Sequence, residues 1–265
     1  MGPENIITTL GRGGSDLTAI ALAASLKADL CEIYTDVPGV FTADPHRIPG
    51  ARLIRCLAYE EMLEMASTGA KVMQSRAVEF AKKYQVVFSV KSTFEEGEGT
   101  MVKEIEVQEG AVVSSVSVDE NQAKISVFRV PDRPGIAAKL FQALGSENIN
   151  VDMIVQNVGR DNHADISFTV NLTDLEKALS LTREVAGCLG AERVSADDDI
   201  AKVSIIGIGM MNHPGVAGRM FQALARAGVN IEMISTSEIK ISCVVRRADA
   251  QKSLEAAHRE FIEKN

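Results

Sequence analysis

The sequence lacks the features that mark a protein for the membrane, the oxidising exterior or nucleic acid. No apolar run approaches the roughly 18 residues that a bilayer-crossing helix needs, and no basic-then-apolar leader opens the chain. Four cysteines (Cys31, Cys56, Cys188, Cys243) show no CxxC spacing. All fall in apolar or helical stretches and read as buried free thiols of a reducing compartment, so the cytoplasm is the expected location. Four histidines (His46, His163, His213, His258) lack the spacing of metal ligands, and no metal centre is expected. Lys and Arg number 28 against 36 Asp and Glu, a formal charge of −8, with no basic cluster. Neither a nucleic-acid backbone nor a membrane is an expected partner. At 265 residues the chain can hold two or three small domains with their own cores.

What is present begins with a junction. Ile6-Ile7-Thr8-Thr9-Leu10 feeds Gly11-Arg12-Gly13-Gly14-Ser15-Asp16, and a helix follows with Ile20, Ala21 and Ala24 on one face. A strand, a glycine turn and a helix start present free backbone N–H groups. Arg12 and Asp16 add one charge of each sign, which suits a small zwitterion: guanidinium on carboxylate, carboxylate on ammonium. A tight turn capped by Ser15, with a solvated arginine, fits the same residues.

Downstream, residues 28–35 read as a strand ending at the Asp36-Val37-Pro38-Gly39 turn, and 58–67 as a short helix. A second helix carries Met73, Ala77, Phe80, Ala81 and Tyr84, and Gln85 to Ser92 reads as a buried strand. Helices alternating with apolar strands predict a layered α/β domain to about residue 109, incomplete at its start. Phe94 to Gly99 reads as an acidic linker.

Beyond it lies a duplication. Residues 134–144 (PGIAAKLFQAL) return as 214–224 (PGVAGRMFQAL), and 150–154 (NVDMI) as 230–234 (NIEMI), at a constant offset of 80 without a gap. Each copy reads strand, Pro-Gly loop, helix, two strands, helix. This is the βαββαβ ferredoxin-like plan, whose open edges invite pairing with a second copy. Copy one ends with a strand near residues 191–195; copy two stops after its helix. The unpaired strand 111–118 is predicted to complete copy two, which interleaves the modules. The predicted domains are 1–109, 110–199 and 200–265. A ligand is expected at a seam where the Pro-Gly loops open the helices.

Three segments, residues 9–16 (TLGRGGSD), 34–45 (YTDVPGVFTADP) and 67–72 (STGAKV), stand in an order that resembles the C-terminal half of the catalytic domain of aspartate kinases. That family lies within the amino-acid kinase superfamily, and the duplication resembles its paired ACT regulatory modules. The fold implied is a partial αβα kinase domain followed by two interleaved ferredoxin-like modules. The resemblance implies transfer of the γ-phosphoryl group of Mg2+-bound ATP to the β-carboxylate of L-aspartate, the first step toward lysine, threonine and methionine. It assigns Arg12, Ser15 and Asp16 to aspartate and Thr35, Asp36, Phe41 and Lys71 to ATP. His46 stands where the family has arginine, so Arg47 is expected to reach the phosphates in its place.

For lysine and/or threonine as effectors, the nominated positions are Asp132, Ile136, Ala137, Gln156, Asn230 and Ile231, with Ser237 and Glu238 for a second pocket. The family's N-terminal Lys-Phe-Gly-Gly phosphate-binding segment has no counterpart among these residues, so the chain is expected to be inactive alone. Assembly is expected either as a homo-oligomer through the modules or with a longer catalytic chain. The alternative function is that of a regulatory amino-acid-binding subunit.

Overall fold

The computed structural model describes residues 13–68, 72–105, 112–159 and 161–264. The strand expected before residue 11, together with Arg12 and Lys71, lies outside the described residues.

The first domain runs α1 (Gly14–Leu26), β1 (Cys31–Thr35), β2 (Cys56–Ala58), α2 (Tyr59–Ser67), α3 (Ser75–Tyr84), β3 (Phe88–Ser92) and β4 (Thr100–Lys103). Its sheet is mixed, in the order β1-β3-β4-β2: β1 is parallel to β3 and β2 to β4, while β3 and β4 are antiparallel. Ile20, Met62, Met65, Ala77, Val78, Phe88, Val90 and Val102 form its core. β4 lies directly after the 94–99 stretch expected to be a linker, where no strand is expected from the sequence. Four residues with only Thr100 and Val102 buried give too short an alternation to read. Thr100 earns its place through its hydroxyl, which accepts the Val40 N–H at 2.8 Å and donates to the Ile54 carbonyl at 2.6 Å.

The duplicated region folds as two modules, each with two helices on one face of a four-stranded antiparallel sheet. β5 (Ser115–Asp119) comes first. Module 1 follows as β6 (Gln122–Pro131), α4 (Ile136–Ser146), β7 (Val151–Val158), β8 (His163–Asn171), α5 (Leu175–Leu189) and β9 (Arg193–Asp197), with sheet order β7-β8-β6-β9. Module 2 comprises β10 (Ile200–Ile206), α6 (Val216–Arg226), β11 (Met233–Thr236), β12 (Lys240–Arg246) and α7 (Ala250–His258), in the order β11-β12-β10-β5. β5 pairs antiparallel with β10, Ser117 opposite Ser204, so the strand ahead of module 1 closes the sheet of module 2. The modules are interleaved as expected.

Strand periodicity sorts the faces. Ile125, Val127, Ile166 and Phe168 of module 1, and Val203, Ile205, Ile241 and Cys243 of module 2, turn toward their own helices. The uncovered faces meet each other: Met153 and Val155 of β7 pack on Ile200, Met233 and Val244. Ion pairs surround that small apolar patch. Buried Lys202 reaches Asp152, Lys124 reaches Glu232, and Arg246 binds Asp197 at 2.7 Å and Glu232 at 2.6 Å.

Module 2 lies against the first domain. Ala43 and Ile48 join its core, the Val116 N–H bonds the Thr42 carbonyl at 2.7 Å, and Ile206 enters the core of the first domain. The cysteine expectation is half corrected. Cys31 and Cys243 are buried, whereas Cys56, opening the three-residue β2, and Cys188, on the solvent face of α5, are exposed. Burial pushes the Cys243 thiol up to about 12, so it stays protonated and inert.

Candidate active-site edge and effector loops

α1 runs back along β1 after a short turn, so its N-terminus lies at the same end of the domain as the C-terminus of β1. β3 is parallel to β1 and ends there too. Ligands of such sheets gather beyond the carboxyl ends of parallel strands. Ser15 and Asp16 occupy the first turn of α1, where free N–H groups and the helix dipole favour an acidic side chain. The Ser15 hydroxyl bonds Asp16 Oδ1 at 3.3 Å, and Asp16 has no cationic partner among the described residues.

Thr35 ends β1. Its carbonyl accepts the Thr93 N–H at 2.8 Å, and its hydroxyl donates to Asp36 Oδ1 at 3.1 Å. Asp36 is exposed and likewise unpaired with any cation there. Phe41, half-buried, bridges to Leu53. Between them Gly39 has φ +151°, and a Cβ would stand 2.7 Å from Thr100 Oγ1, so only glycine fits this turn. On β1 and β3, the Lys91 hydrogen bond holds the Glu32 carboxyl below its ordinary range.

The Arg47 guanidinium donates to Glu120 at 3.0 Å and to Gln251 Oε1 at 2.9 Å, which ties its loop to module 2. His46 is exposed, its backbone N–H held by Asp44 Oδ1 at 2.9 Å.

The nominated effector residues form two groups. In module 1, exposed Asp132 stands before α4, Ile136 and Ala137 open that helix against the module core, and Gln156 is exposed on edge strand β7. In module 2, exposed Asn230 and half-buried Ile231 lead into edge strand β11, which Ser237 and Glu238 follow. No hydrogen bond or ion pair among the described residues joins the two groups within one chain. Both edges carry exposed apolar side chains, Ile154 and Val158 on β7 and Ile234 on β11.

Glu61 is a functional candidate that no sequence motif marks. It is 3% exposed beside Met62 and Met65, and it accepts hydrogen bonds from both its own helix and module 2. The only available signal was a carboxylate on the apolar face of a short helix.

A partial α/β kinase-type domain joined to two tandem ferredoxin-like modules of the regulatory type is therefore the class of protein. Family models agree: the amino acid kinase family matches residues 1–91, and the ACT domain matches 125–187 and 203–261. The aspartokinase of Pseudomonas aeruginosa is 50% identical over 258 residues, which cover 96% of this chain and 63% of that protein. Aspartokinase III of E. coli resembles it in two crystal states, each covering 96% of this chain and 57% of that one. The state with aspartate and ADP has TM-score 0.81 at 29% identity, and the state with lysine and aspartate 0.78 at 30%. The regulatory subunit of aspartate kinase from Thermus thermophilus is matched over 99% of its length and 57% of this chain, at 42% identity and TM-score 0.54. The chain belongs to the aspartate kinase family. It spans 62–64% of the length of the curated relatives it matches.

Proposed function

We propose that this chain carries the aspartate-binding edge and part of the nucleotide pocket of a cytoplasmic aspartate kinase, with the modules as its feedback sensor for lysine and/or threonine. The observation that supports this best is the placement of Ser15 and Asp16 at the same end of the sheet as Thr35 and Asp36. Among the described residues the Asp16 and Asp36 carboxylates have no cationic partner. An aspartate ammonium suits Asp16, its α-carboxylate suits Arg12, and ATP would lie toward Thr35, Asp36 and Phe41 with Lys71 on its phosphates. Transfer of a phosphoryl group needs mainly alignment and neutralised charge. A β-carboxylate oxygen forms the new bond to the γ-phosphorus, the bond to the β,γ-bridging oxygen breaks, and ADP leaves. Mg2+ would arrive with ATP and share the neutralisation with lysine and arginine side chains.

At the modules, Asp132 and the N–H groups opening α4 suit the two charges of an amino acid, and Asn230 and Ile231 would close the pocket from another module. Exposed edges β7 and β11 suit a homo-oligomer. The likeness to the Thermus thermophilus regulatory subunit favours a second reading, a regulatory subunit that pairs with a longer catalytic chain. Calorimetric titration of the chain with lysine, threonine, aspartate and Mg-ATP separates these. Binding of lysine or threonine is expected, weakened about tenfold in Asp132→Ala, the effect of losing one charge-assisted bond. Binding of aspartate that disappears in Asp16→Ala supports the kinase reading. Effector binding without aspartate or ATP binding favours the subunit. Absence of any effector binding sinks the sensor assignment.

A further inference from the structure

We propose that Glu61 is the positioning residue through which module 2 grips helix α2, so that a shift in the modules is delivered to that helix of the first domain. This rests on the kinase-and-sensor reading above. Glu61 is buried, and its carboxylate accepts three hydrogen bonds: from the Ala58 N–H at 3.2 Å, the Ser114 hydroxyl at 2.5 Å and the Ile208 N–H at 3.1 Å. The first donor belongs to the entrance of α2. The other two belong to module 2, since Ser114 immediately precedes β5 and Ile208 opens a 3-10 turn, Ile208–Asn212. One turn along α2, Glu64 pairs with Lys240 Nζ at 2.7 Å, and Ile206 fixes the end of β10 in the core of the first domain.

The Ile208–Asn212 turn runs through His213 and Pro214 to Gly215 and α6. It is module 2's version of the loop that in module 1 carries Asp132. Among the described residues the module 1 loop has no such attachment: there the Arg129 N–H bonds Asp165 Oδ1 at 2.8 Å and its guanidinium bonds Asp161 and Glu192, all within module 1. One repeat position thus serves two ends. The module 1 loop is free to meet a ligand, and the module 2 loop is tied to the kinase helix. A buried carboxylate held by directional bonds does not slide, because leaving either donor strands a polar group. The linkage is therefore two-state, and its strength is bounded by the ligand's differential affinity for the two states.

Hydrogen exchange of the α2 and Ile208–Asn212 amides tests this in two arms on the same chain. Without ligand, Ser114→Ala is expected to speed exchange of α2 by about tenfold, the size of one lost charge-assisted bond. It should add nothing once Glu61→Leu has removed the acceptor, and Glu61→Gln should rescue most of the protection because an amide oxygen still accepts from Ile208 and Ser114. Independent, additive effects of Ser114→Ala and Glu61→Leu would overturn the proposal. Should Glu61→Leu fail to fold, the comparison of Ser114→Ala in the native and Glu61→Gln backgrounds carries the same test, since a weaker acceptor must shrink the effect.

In the second arm, saturating lysine or threonine is expected to change α2 exchange about threefold or more in the native chain. In Glu61→Leu the change should fall below about twofold, although the amino acid still binds. An undiminished response in Glu61→Leu would overturn the proposal. If neither amino acid binds the native chain, the sensor reading fails by itself, and the ligand-free arm still decides the role of Glu61.

Discussion

The two modules descend from one sequence and are used differently. Their first helices match at an offset of 80 residues, and each is opened by a left-handed glycine, Gly135 at φ +94° and Gly215 at φ +91°. Their strand ends diverge. In module 1, β6 continues through a bulge at Phe128 and Arg129 as far as Pro131. In module 2, β10 stops at Ile206 and the chain turns at once onto the first domain. Module 2 also shares its core with Ala43 and Ile48, whereas module 1 rests on module 2 through a small apolar patch ringed by ion pairs. Duplication supplies the scaffold, and the neighbours decide which copy is anchored and which is left free.

The largest expected effect breaks this comparison directly. Leu144→Ala in module 1 and Leu224→Ala in module 2 each empty a position that is at most 1% exposed. Each should cost about 3 kcal/mol. Leu224→Ala should lower the stability of the first domain as well, because the core around it reaches residues 43 and 48. Leu144→Ala should leave the first domain unchanged. Denaturant unfolding followed by exchange in α1 and α3 separates the outcomes, and equal spread of both losses would mean that the modules unfold as one unit.

The seam gives the next effect, and it is asymmetric. Lys202 is 2% exposed on its side chain and its partner Asp152 36%. Asp152→Ala strands a buried ammonium and should cost about 3 kcal/mol, whereas Lys202→Met leaves a carboxylate that water can reach and should cost about 1 kcal/mol or less. Equal costs would show that Lys202 finds another partner. Thermal melts of the two variants suffice.

Acid should loosen the same seam. Partial burial acts to raise the Asp197 carboxyl, but the Arg246 hydrogen bond and the Asp199 N–H outweigh it and hold the group below its ordinary value. A carboxyl depressed on folding contributes stability above its unfolded pKa, near 4, and loses that contribution as pH falls through the folded value. Module 1 should therefore separate below about pH 4 while its own helices persist. This would be seen as an increase in radius by small-angle scattering without loss of helical circular dichroism. Raised salt should move the transition the same way.

What could be read in the sequence follows from range. The duplication was visible residue by residue, and the unpaired strand ahead of copy one pointed to the interleaving that places β5 next to β10. Helices α3 to α7 follow the periodicity of their apolar residues. β4 was hidden because four residues hardly define an alternation, and its stabilising contact is a threonine hydroxyl reaching residues 40 and 54. Arg47 and Glu61 were illegible for a deeper reason. Their partners lie at positions 120, 251, 114 and 208, and no local pattern records a contact that only the docking of module 2 creates.

The smallest effect sharpens the comparison by testing what the copies still share. Gly135 and Gly215 both stand at φ near +90°, and a Cβ at either would meet nothing within 4 Å. The cost of alanine is then backbone strain alone, about 1 kcal/mol, and it should be equal in the two modules. Function should not be equal. Gly135 opens the free loop, so Gly135→Ala should weaken binding of lysine or threonine. Gly215 opens the tied loop, so Gly215→Ala should leave that affinity nearly unchanged and alter exchange in α2 instead. Matched melting temperatures with opposite functional readouts would establish that the copies diverged in connection while keeping their local physics. Matched readouts in both would remove the distinction between a free and an anchored module.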